Sequence, residues 1–293
     1  MPWTRAVADL DVMDDAAGWR LAAPAKLNLW LTVVGRRADG FHELDSLLVL
    51  LELADELSLA AEGPELRMGG PAAAGVPADR TNLAWRGWLA GLAGRPPTGG
   101  LSVDKRVRPA AGLGGGSSDA AAARRLARWV TGQGDDRPTA DELVTLATIG
   151  ADVPFFASQH AVARVRGIGE QVAPDAMGPA EVILVHPPFG LATGAVFAEL
   201  RQSEWSGPTE DAATRPGRND LAAPARRLRS ELDSIFRLVA GAGGEPHLTG
   251  SGPTVFALTD DPERAAGVAS RLERAGLATT RTHLRPEPAS IER

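Results

Sequence analysis

The chain is organised around one stretch, KRVRPAAGLGGGSSD at residues 105–119, which runs directly into an alanine-rich segment. Four of the five residues from Gly112 to Gly116 are glycine, which costs backbone entropy and indicates positive φ angles or close backbone approach. The following segment has apolar residues at positions 123, 126, 127 and 130, the spacing of one helix face. The pattern predicts a glycine loop that leads into a helix, with Ser117, Ser118 and Asp119 available as N-caps.

A glycine loop before a helix points several backbone N–H donors and the positive end of the helix dipole at one place. This arrangement predicts an anion site, and nucleotide phosphates are the anions we expect. A flexible linker before a surface helix is the alternative, but linkers seldom end in so well-defined a helix start. The loop lacks the Gly-Lys-Ser/Thr ending of a Walker loop, and residues 112–116 match the dinucleotide fingerprint only loosely.

Composition excludes several functional classes. The 293 residues are 44% hydrophobic and 23% charged, as in globular proteins, and no apolar run reaches the roughly 18 residues that cross a bilayer. The formal net charge of −6 gives no support for binding to nucleic acid or a membrane surface. Without cysteine the chain has neither disulfides nor thiolate chemistry. We expect a cytoplasmic protein that holds an anion through local donors, with a loose acidic extension at residues 1–19.

Strand and helix patterns are mixed along the chain without strict alternation. This mixture predicts an α+β fold and not a doubly wound sheet. Alternating apolar residues predict a strand over 27–34. Two further strands are predicted at 46–53 and 56–60, and the acidic side chain of Asp55 lies at the break between them.

Two charged residues are candidates for the chemistry at a phosphate site. Phosphoryl transfer needs charge neutralisation and, usually, a residue that orients or deprotonates the attacking hydroxyl. Asp152 can be that residue; the alternative is an ordinary N-cap, since Pro154 fits the first turn of a helix. Lys26 can be the cation beside it; the alternative is a solvated lysine at a strand start. Asn28 projects from the same strand face as Lys26.

Several blocks of the sequence resemble one family, in the family's order. They resemble the 4-diphosphocytidyl-2-C-methyl-D-erythritol kinases of the galactokinase, homoserine kinase, mevalonate kinase and phosphomevalonate kinase (GHMP) superfamily. Besides the glycine loop, the matching blocks are PAKLNL at 24–29, RADGFHEL at 37–44, GADVP at 150–154, RGIGE at 166–170, NDL at 219–221 and LTGSGPT at 248–254. The glycine loop alone identifies only the superfamily, whereas the blocks at 24–29 and 37–44 are much more specific to the family.

The resemblance implies an enzyme that transfers the γ-phosphoryl of ATP to the 2-hydroxyl of 4-diphosphocytidyl-2-C-methyl-D-erythritol in the non-mevalonate isoprenoid route. It implies two lobes, an ATP lobe at 20–158 and a ferredoxin-like substrate lobe at 159–293, with the active site between them. ATP and Mg²⁺ are the implied cofactors, and Ser118 is the nearest candidate for a metal ligand. The implied partner is a small molecule, with no nucleic acid or membrane. A homoserine-type or mevalonate-type kinase and a non-catalytic nucleotide-binding regulator are the alternatives.

The resemblance also implies roles for individual residues. Asp152 matches the general base of the family and Lys26 its partner cation. The implied substrate-binding residues are Asn28 at the hydroxyl end and Phe41, His42 and Phe197 around the cytosine. The implied ATP-binding residues are Pro109, Ala110, Ala111, Gly112, Leu113, Gly114, Gly115, Gly116, Ser117, Ser118, Asp119, Asn82 and Lys105.

Two positions depart from the family pattern. Phe41 stands where the family has a tyrosine, so the stacking surface is kept but a hydroxyl hydrogen bond is lost. Arg108 stands where the family has a proline, and the proline follows one residue later at Pro109. This second change can alter the path into the glycine loop and can bring an arginine to the phosphates. Neither departure removes a predicted catalytic group.

Overall fold

One sheet organises the N-terminal part of the chain. The computed structural model describes residues 18–60, 65–97, 99–207 and 217–293, so positions 1–17 of the predicted extension lie outside the described residues. The six strands of this sheet are β1 (Arg20–Arg36), β2 (His42–Ala60), β3 (Leu66–Gly69), β4 (Gly100–Asp104), β5 (Val162–Gly167) and β6 (Gln171–Pro174). Their order is β3-β4-β2-β5-β6, and β1 pairs with β2. These strands pair antiparallel except for β3 and β4, which are parallel.

Strand β2 is continuous, so the prediction of two strands separated at Asp55 is wrong. The carboxylate of Asp55, which is 1% exposed, is satisfied within the fold. It accepts hydrogen bonds from the backbone N–H groups of Arg106 at 2.5 Å and Val107 at 2.8 Å, and from the ammonium of Lys105. Because these donors offset the cost of burying a charge, the acidic residue continues the strand instead of ending it.

Four helices of the described residues pack with this sheet: α1 (Leu83–Leu92), α2 (Gly115–Val130), α3 (Ala140–Ala147) and α4 (Val153–Ala157). The apolar face predicted for α2 is confirmed, because positions 123, 126, 127 and 130 are all buried. Helix α1 lies very close to α2, since a Cβ at Gly87 would be 2.0 Å from the carbonyl oxygen of Ala120. The absence of a side chain at Gly87 therefore sets the distance between the two helices.

A second sheet is formed by β7 (Glu181–His186), β8 (His247–Leu248), β9 (Val255–Thr259) and β10 (Ala278–His283). Its order is β10-β7-β9-β8, with every neighbouring pair antiparallel. Its helices are α5 (Thr193–Glu199), α6 (Ala222–Leu228), α7 (Glu231–Gly241) and α8 (Pro262–Arg274). Helices α5 to α7 connect β7 to β8, and α8 connects β9 to β10, which is the ferredoxin-like arrangement. The predicted α+β fold is thereby confirmed.

The long β1–β2 ribbon connects the two sheets. Leu31 of β1 pairs with Asn219, and Leu51 of β2 pairs with Leu284. Leu31 also packs in the core that β7, β9 and their helices form. Since β5 and β6 pair within the first sheet although they follow Ser158, we propose that the boundary between the lobes lies between β6 and β7.

The substitution Gly87→Ala should destabilise the protein. The new methyl group would meet backbone of α2, which cannot rotate away, so the two helices must separate. Overpacking of this kind costs about 1–3 kcal/mol of unfolding free energy, more than alanine gains in helix propensity. Urea denaturation measures this difference.

Gly241→Ala, in α7, is the matched control, because a Cβ at this position has no neighbour within 4 Å. It should leave the unfolding free energy unchanged or slightly raised. Equal stability of the two variants would contradict the close approach of α1 and α2.

Candidate active site

A cleft of about 410 Å³ lies between the two sheets. Its walls come from β1, the glycine loop and the start of α4 on one side, and from α5 and the turn between β8 and β9 on the other. The structure thus brings the predicted catalytic pair, most of the glycine loop and one predicted aromatic residue to one place. The lining residues include Lys26, Asn28, Pro109, Ala110, Ala111, Gly112, Gly114, Gly115, Gly116, Ser117, Asp152, Phe197, Gly250 and Ser251.

The glycine loop ends at a helix N-terminus that no side chain caps. Helix α2 begins at Gly115, and its N-cap is Gly114 with a φ of 70°. Ser117, Ser118 and Asp119 lie inside the helix, so the prediction that they cap it is wrong. The left-handed backbone at the cap suits glycine and disfavours serine. The first N–H groups of α2 have no partner within the helix and border the cleft, where they and the dipole favour an anion.

Close contacts with both sheets hold the glycine loop in place. A Cβ at Gly112, whose φ is 76°, would lie 2.5 Å from the carbonyl oxygen of Thr249. A Cβ at Gly114 would lie 3.0 Å from the side chain of Lys26. The backbone N–H of Lys26 also donates to the carbonyl oxygen of Leu113 at 3.0 Å. Glycine at these two positions therefore lets the loop fit between β1 and the turn before β9.

Three of the residues predicted to bind ATP direct their side chains elsewhere. Leu113 is buried in the core between the sheets. Ser118 is 2% exposed and borders a separate small pocket. Asn82 caps α1, because its side chain accepts from the N–H of Ala84 at 2.8 Å and donates to the carbonyl oxygen of Pro77 at 2.6 Å. These three side chains support the walls around the cleft.

Lys105 and Asp119, also predicted to bind ATP, belong to a buried charge cluster beneath the glycine loop. The ammonium of Lys105 contacts the carboxylates of Asp55 and Asp119, the latter at 2.7 Å, and all three residues are buried. The same ammonium would lie 3.3 Å from a Cβ at Gly115. The sequence gives no signal for the role of Asp55, since the pairing joins positions 50 residues apart.

The cluster holds one ammonium and two carboxylates, so one carboxylate lacks a full counter-charge. Asp55 also accepts two backbone N–H bonds, whereas Oδ1 of Asp119 has no hydrogen-bond partner among the described residues. Burial raises the pKa of Asp119 to about 7, although Lys105 acts in the opposite direction. Asp119 is therefore the carboxylate that takes up a proton.

Lys26 and Asp152 face each other in the cleft. Nζ of Lys26 lies 3.6 Å from Oδ2 of Asp152 and donates to Oδ1 of Asn28 at 2.5 Å. Nδ2 of Asn28 donates to Oγ of Ser46 at 2.8 Å, and Ser46 donates to the carbonyl oxygen of Trp30 at 2.5 Å. This chain of hydrogen bonds fixes the orientation of the Asn28 amide and thereby the position of the ammonium. Ser46 was not among the predicted site residues. The sequence pattern places it on the inward face of a strand, which does not by itself indicate a role in the site.

The Asp152 carboxylate has no capping role in this structure. Asp152 occupies the N-cap position of α4, and Pro154 stands in the first turn as predicted, but the side chain makes no capping hydrogen bond. The turn between β5 and β6 supports this segment, since a Cβ at Gly169 would lie 2.0 Å from the carbonyl oxygen of Ala151. With its side chain 34% exposed, Asp152 presents a carboxylate to the cleft beside Lys26.

Aromatic rings gather at the other end of the cleft. The rings of His42 and Phe197 stack with centroids 5.1 Å apart and planes at 22°, and Trp205 packs edge-on against His42 at 5.5 Å. Burial and the neighbouring Arg36 lower the pKa of His42, so its ring is neutral near pH 7. Phe41, which was predicted to lie over the base, is 61% exposed and is not among the residues that line the cleft. Trp205 was not among the predicted residues.

The chain is similar to named kinases over most of its length. A relative from Granulibacter bethesdensis, 4-diphosphocytidyl-2-C-methyl-D-erythritol kinase, is 40% identical over 86% of this chain and 88% of its own. A relative of the same name from Nocardia farcinica is 37% identical over 92% of this chain and 94% of its own. Residues 207–278 match a family model described as GHMP kinases C terminal.

Solved structures share the same architecture. A crystal structure of 4-(cytidine 5'-diphospho)-2C-methyl-D-erythritol kinase has 31% sequence identity and a TM-score of 0.72, covering 90% of this chain and 98% of that one. A homoserine kinase from Cytophaga hutchinsonii has 14% identity and a TM-score of 0.64, covering 95% and 98%. At that identity the second likeness concerns the fold alone, which is that of the GHMP kinases.

The substitution Asp119→Asn should reduce the pH dependence of stability between about pH 4 and pH 7. The folded protein keeps a proton on Asp119 that the unfolded chain releases above its ordinary pKa of 3.8. Stability from this group is therefore present at low pH and is lost as the pH rises through about 7, by at most about 1.4 kcal/mol per pH unit. Asparagine has nearly the same shape and does not titrate. Urea denaturation at a series of pH values measures the slope.

Asp260→Asn, at an exposed aspartate, is the matched control and should keep the wild-type slope. If Asp119→Asn also kept that slope, the proton would have to reside elsewhere and the assignment to Asp119 would be wrong.

Proposed function

The chain belongs to the family of 4-diphosphocytidyl-2-C-methyl-D-erythritol kinases, and we propose that Asp152 is the base and Lys26 the partner cation of the reaction. The protein is an ATP-dependent kinase that phosphorylates the 2-hydroxyl of 4-diphosphocytidyl-2-C-methyl-D-erythritol in the synthesis of isoprenoid precursors. The assignment of roles rests on one observation, the accessible carboxylate of Asp152 held 3.6 Å from the buried ammonium of Lys26 in the cleft.

ATP binds with its phosphates at the glycine loop. The unpaired N–H groups at the start of α2 donate to phosphate oxygens, and the helix dipole adds to this attraction. Glycines at the loop and the first turn of α2 leave no side chain to keep the phosphates away from the backbone. Asn82 and Lys105 act through the walls of the cleft. Asn82 caps α1, whose first residue, Leu83, lines the cleft, and Lys105 lies beneath the glycine loop.

Asp152 accepts the proton of the 2-hydroxyl as that oxygen attacks the γ-phosphorus of ATP, with ADP as the leaving group. Lys26, whose side chain is 4% exposed, stabilises the negative charge on the transferring group. Asn28 holds the ammonium through its carbonyl oxygen and borders the hydroxyl end of the substrate. Because transfer of a phosphoryl group passes through a loose transition state, positioning and charge contribute more than deprotonation.

Mg²⁺ would be held in this site mainly by the nucleotide that it accompanies. Among the described residues no group of three or more histidine, aspartate or glutamate side chains could hold a metal ion. Ser118, the predicted ligand, borders a different pocket. This donor set fits an ion carried mainly by the phosphate oxygens, as is usual for Mg²⁺ with nucleotides. When bound, Mg²⁺ supplies neutralisation of phosphate charge.

The cytosine is recognised at the aromatic end of the cleft. Stacking of a base on one aromatic side chain contributes about 1–3 kcal/mol. Phe197 lines the cleft and gives one such surface, while His42 carries one ring nitrogen that donates and one that accepts. Trp205 supports His42 from the side. Phe41, next to His42 in the chain, would give the second stacking surface for the base.

We propose that the partner of this protein is a small molecule, with neither nucleic acid nor a membrane. Among the described residues no helix is long and apolar enough to cross a membrane. The formal net charge of −6 does not favour nucleic acid. An acidic chain without cysteine that consumes ATP fits a metabolic enzyme of the cytoplasm.

Asp152→Asn should lower kcat by about 10²–10⁴, nearer the low end because the transition state is loose. The substitution keeps the shape of the side chain and removes the proton acceptor. The Michaelis constants of both substrates and the melting temperature should change little, since the carboxylate caps no helix. Steady-state kinetics and a melting curve of the same preparation measure the two effects.

Asp260→Asn controls for loss of a charge away from the cleft and should retain the wild-type kcat. A normal kcat with a lowered melting temperature for Asp152→Asn would show that Asp152 is structural and that the proposed base is wrong.

Phe197→Ala should raise KM for the cytidine substrate about tenfold while leaving KM for ATP unchanged, because one stacking surface is lost. Phe236→Ala, at a partly buried phenylalanine of α7 that packs against the core, is the control for loss of an aromatic ring outside the cleft. If Phe197→Ala raised both constants equally, the ring would be a packing residue and the site of the cytosine would have to be sought elsewhere.

A further inference from the structure

Positive charge is scarce in the cleft. Lys26, Arg108 and Asp152 are the charged side chains among the described residues that line it. Lys26 faces Asp152, and the ammonium of the nearby Lys105 is enclosed by two carboxylates. ATP and the cytidine diphosphate substrate are both polyanions, and the chain as a whole is acidic. Arg108 is thus the one cationic side chain lining the cleft, among the described residues, that is not paired with a carboxylate. It lies beside the backbone donors of the glycine loop.

Arg108 differs from the arginine two positions before it. Arg106 is paired with Asp104, at 3.0 Å from Nε and 2.9 Å from Nη2. The side chain of Arg108 is exposed and has no hydrogen bond or ion pair with any residue that the structure describes. It lies four residues before Gly112 on the strand-to-loop connection. An arginine with no protein partner at the edge of an anion site is available to a ligand.

The guanidinium lies at a rim shared by two spaces. Arg108 lines the main cleft and also an adjoining cavity of about 260 Å³, which is bordered by His186, Phe189 and Thr254. Burial, and after it the charge of Arg108, lowers the pKa of His186 to about 4. His186 is therefore neutral at physiological pH and adds no second positive charge beside Arg108. Nothing in this cavity's lining carries an acidic group.

We propose that Arg108 binds phosphate oxygens of ATP in the main cleft, as a side-chain addition to the backbone donors of the glycine loop. The inference rests on the proposed function of this cleft. The planar guanidinium fork can donate two parallel hydrogen bonds to a phosphate, which a lysine cannot match. Arg108 is a binding residue in this role and takes no part in the proton transfer.

The position of Arg108 favours a contact with the phosphates of ATP over a contact with the diphosphate of the cytidine substrate. It belongs to the same wall as residues 109–117, which lead into the N-terminus of α2 where the nucleotide phosphates bind. The aromatic end that holds the cytosine is formed by His42, Phe197 and Trp205. A diphosphate contact on the cytidine substrate is the competing outcome that the experiment must separate.

The test compares Arg108→Ala, Arg108→Lys and the control Arg106→Ala in the full chain. Calorimetric titration with ATP, ADP and AMP, without the second substrate, measures nucleotide affinity apart from catalysis. We expect Arg108→Ala to weaken ATP and ADP binding about tenfold or more, the loss for one charge-assisted hydrogen-bond pair, and AMP binding less. Arg108→Lys should recover only part of this loss, and Arg106→Ala should bind as the wild type does.

Steady-state kinetics supply the second readout. The proposal expects KM for ATP to rise in Arg108→Ala while KM for the cytidine substrate and kcat at saturation stay within about twofold. Unchanged ATP affinity in Arg108→Ala would overturn the proposal and leave the function of the cleft intact. A rise confined to KM for the cytidine substrate would overturn it in favour of the diphosphate. A wild-type protein that bound no ATP would overturn the proposed function as well.

Discussion

A single buried ammonium ties together the elements around the nucleotide site. Lys105 stands at the end of β4, Asp55 in β2 and Asp119 in the first turns of α2, and their charged groups meet out of contact with water. Lys105 precedes the glycine loop and Asp119 follows it, so the contact between these two residues fixes both ends of the loop. Removing the ammonium of Lys105 would leave the buried carboxylates without a counter-charge, which costs about 3–5 kcal/mol.

The orientation of α2 follows from that cluster, and the cleft follows from α2. With Asp119 anchored below, the N-terminus of α2 points its free donors into the space between the sheets. Gly112 then lets the loop approach the turn at Thr249, where any side chain would collide. In the function we propose, the backbone supplies most of the phosphate site, and side chains serve the proton transfer at Asp152 and the cytosine at Phe197.

Local features of this protein could be predicted from the sequence because they depend on neighbouring residues. The apolar face of α2, the helix start at Pro154 and the mixed α+β character all arise from short-range periodicity and backbone preference. The family motifs identified the chemistry, since their residue types and order are preserved along the chain. The caps of α2 were not predicted correctly, because a left-handed Gly114 made side-chain caps unnecessary.

The sequence by itself determined many of the elements, the glycine loop, the family and the candidate residues of the reaction. Only the tertiary structure decided which groups meet. It placed Asp55 against Lys105, turned the Asp152 carboxylate away from capping, stacked His42 on Phe197 and left Arg108 unpaired. The physical reason is that such pairings depend on sheet register and on the packing of segments far apart in the chain, which local patterns do not encode.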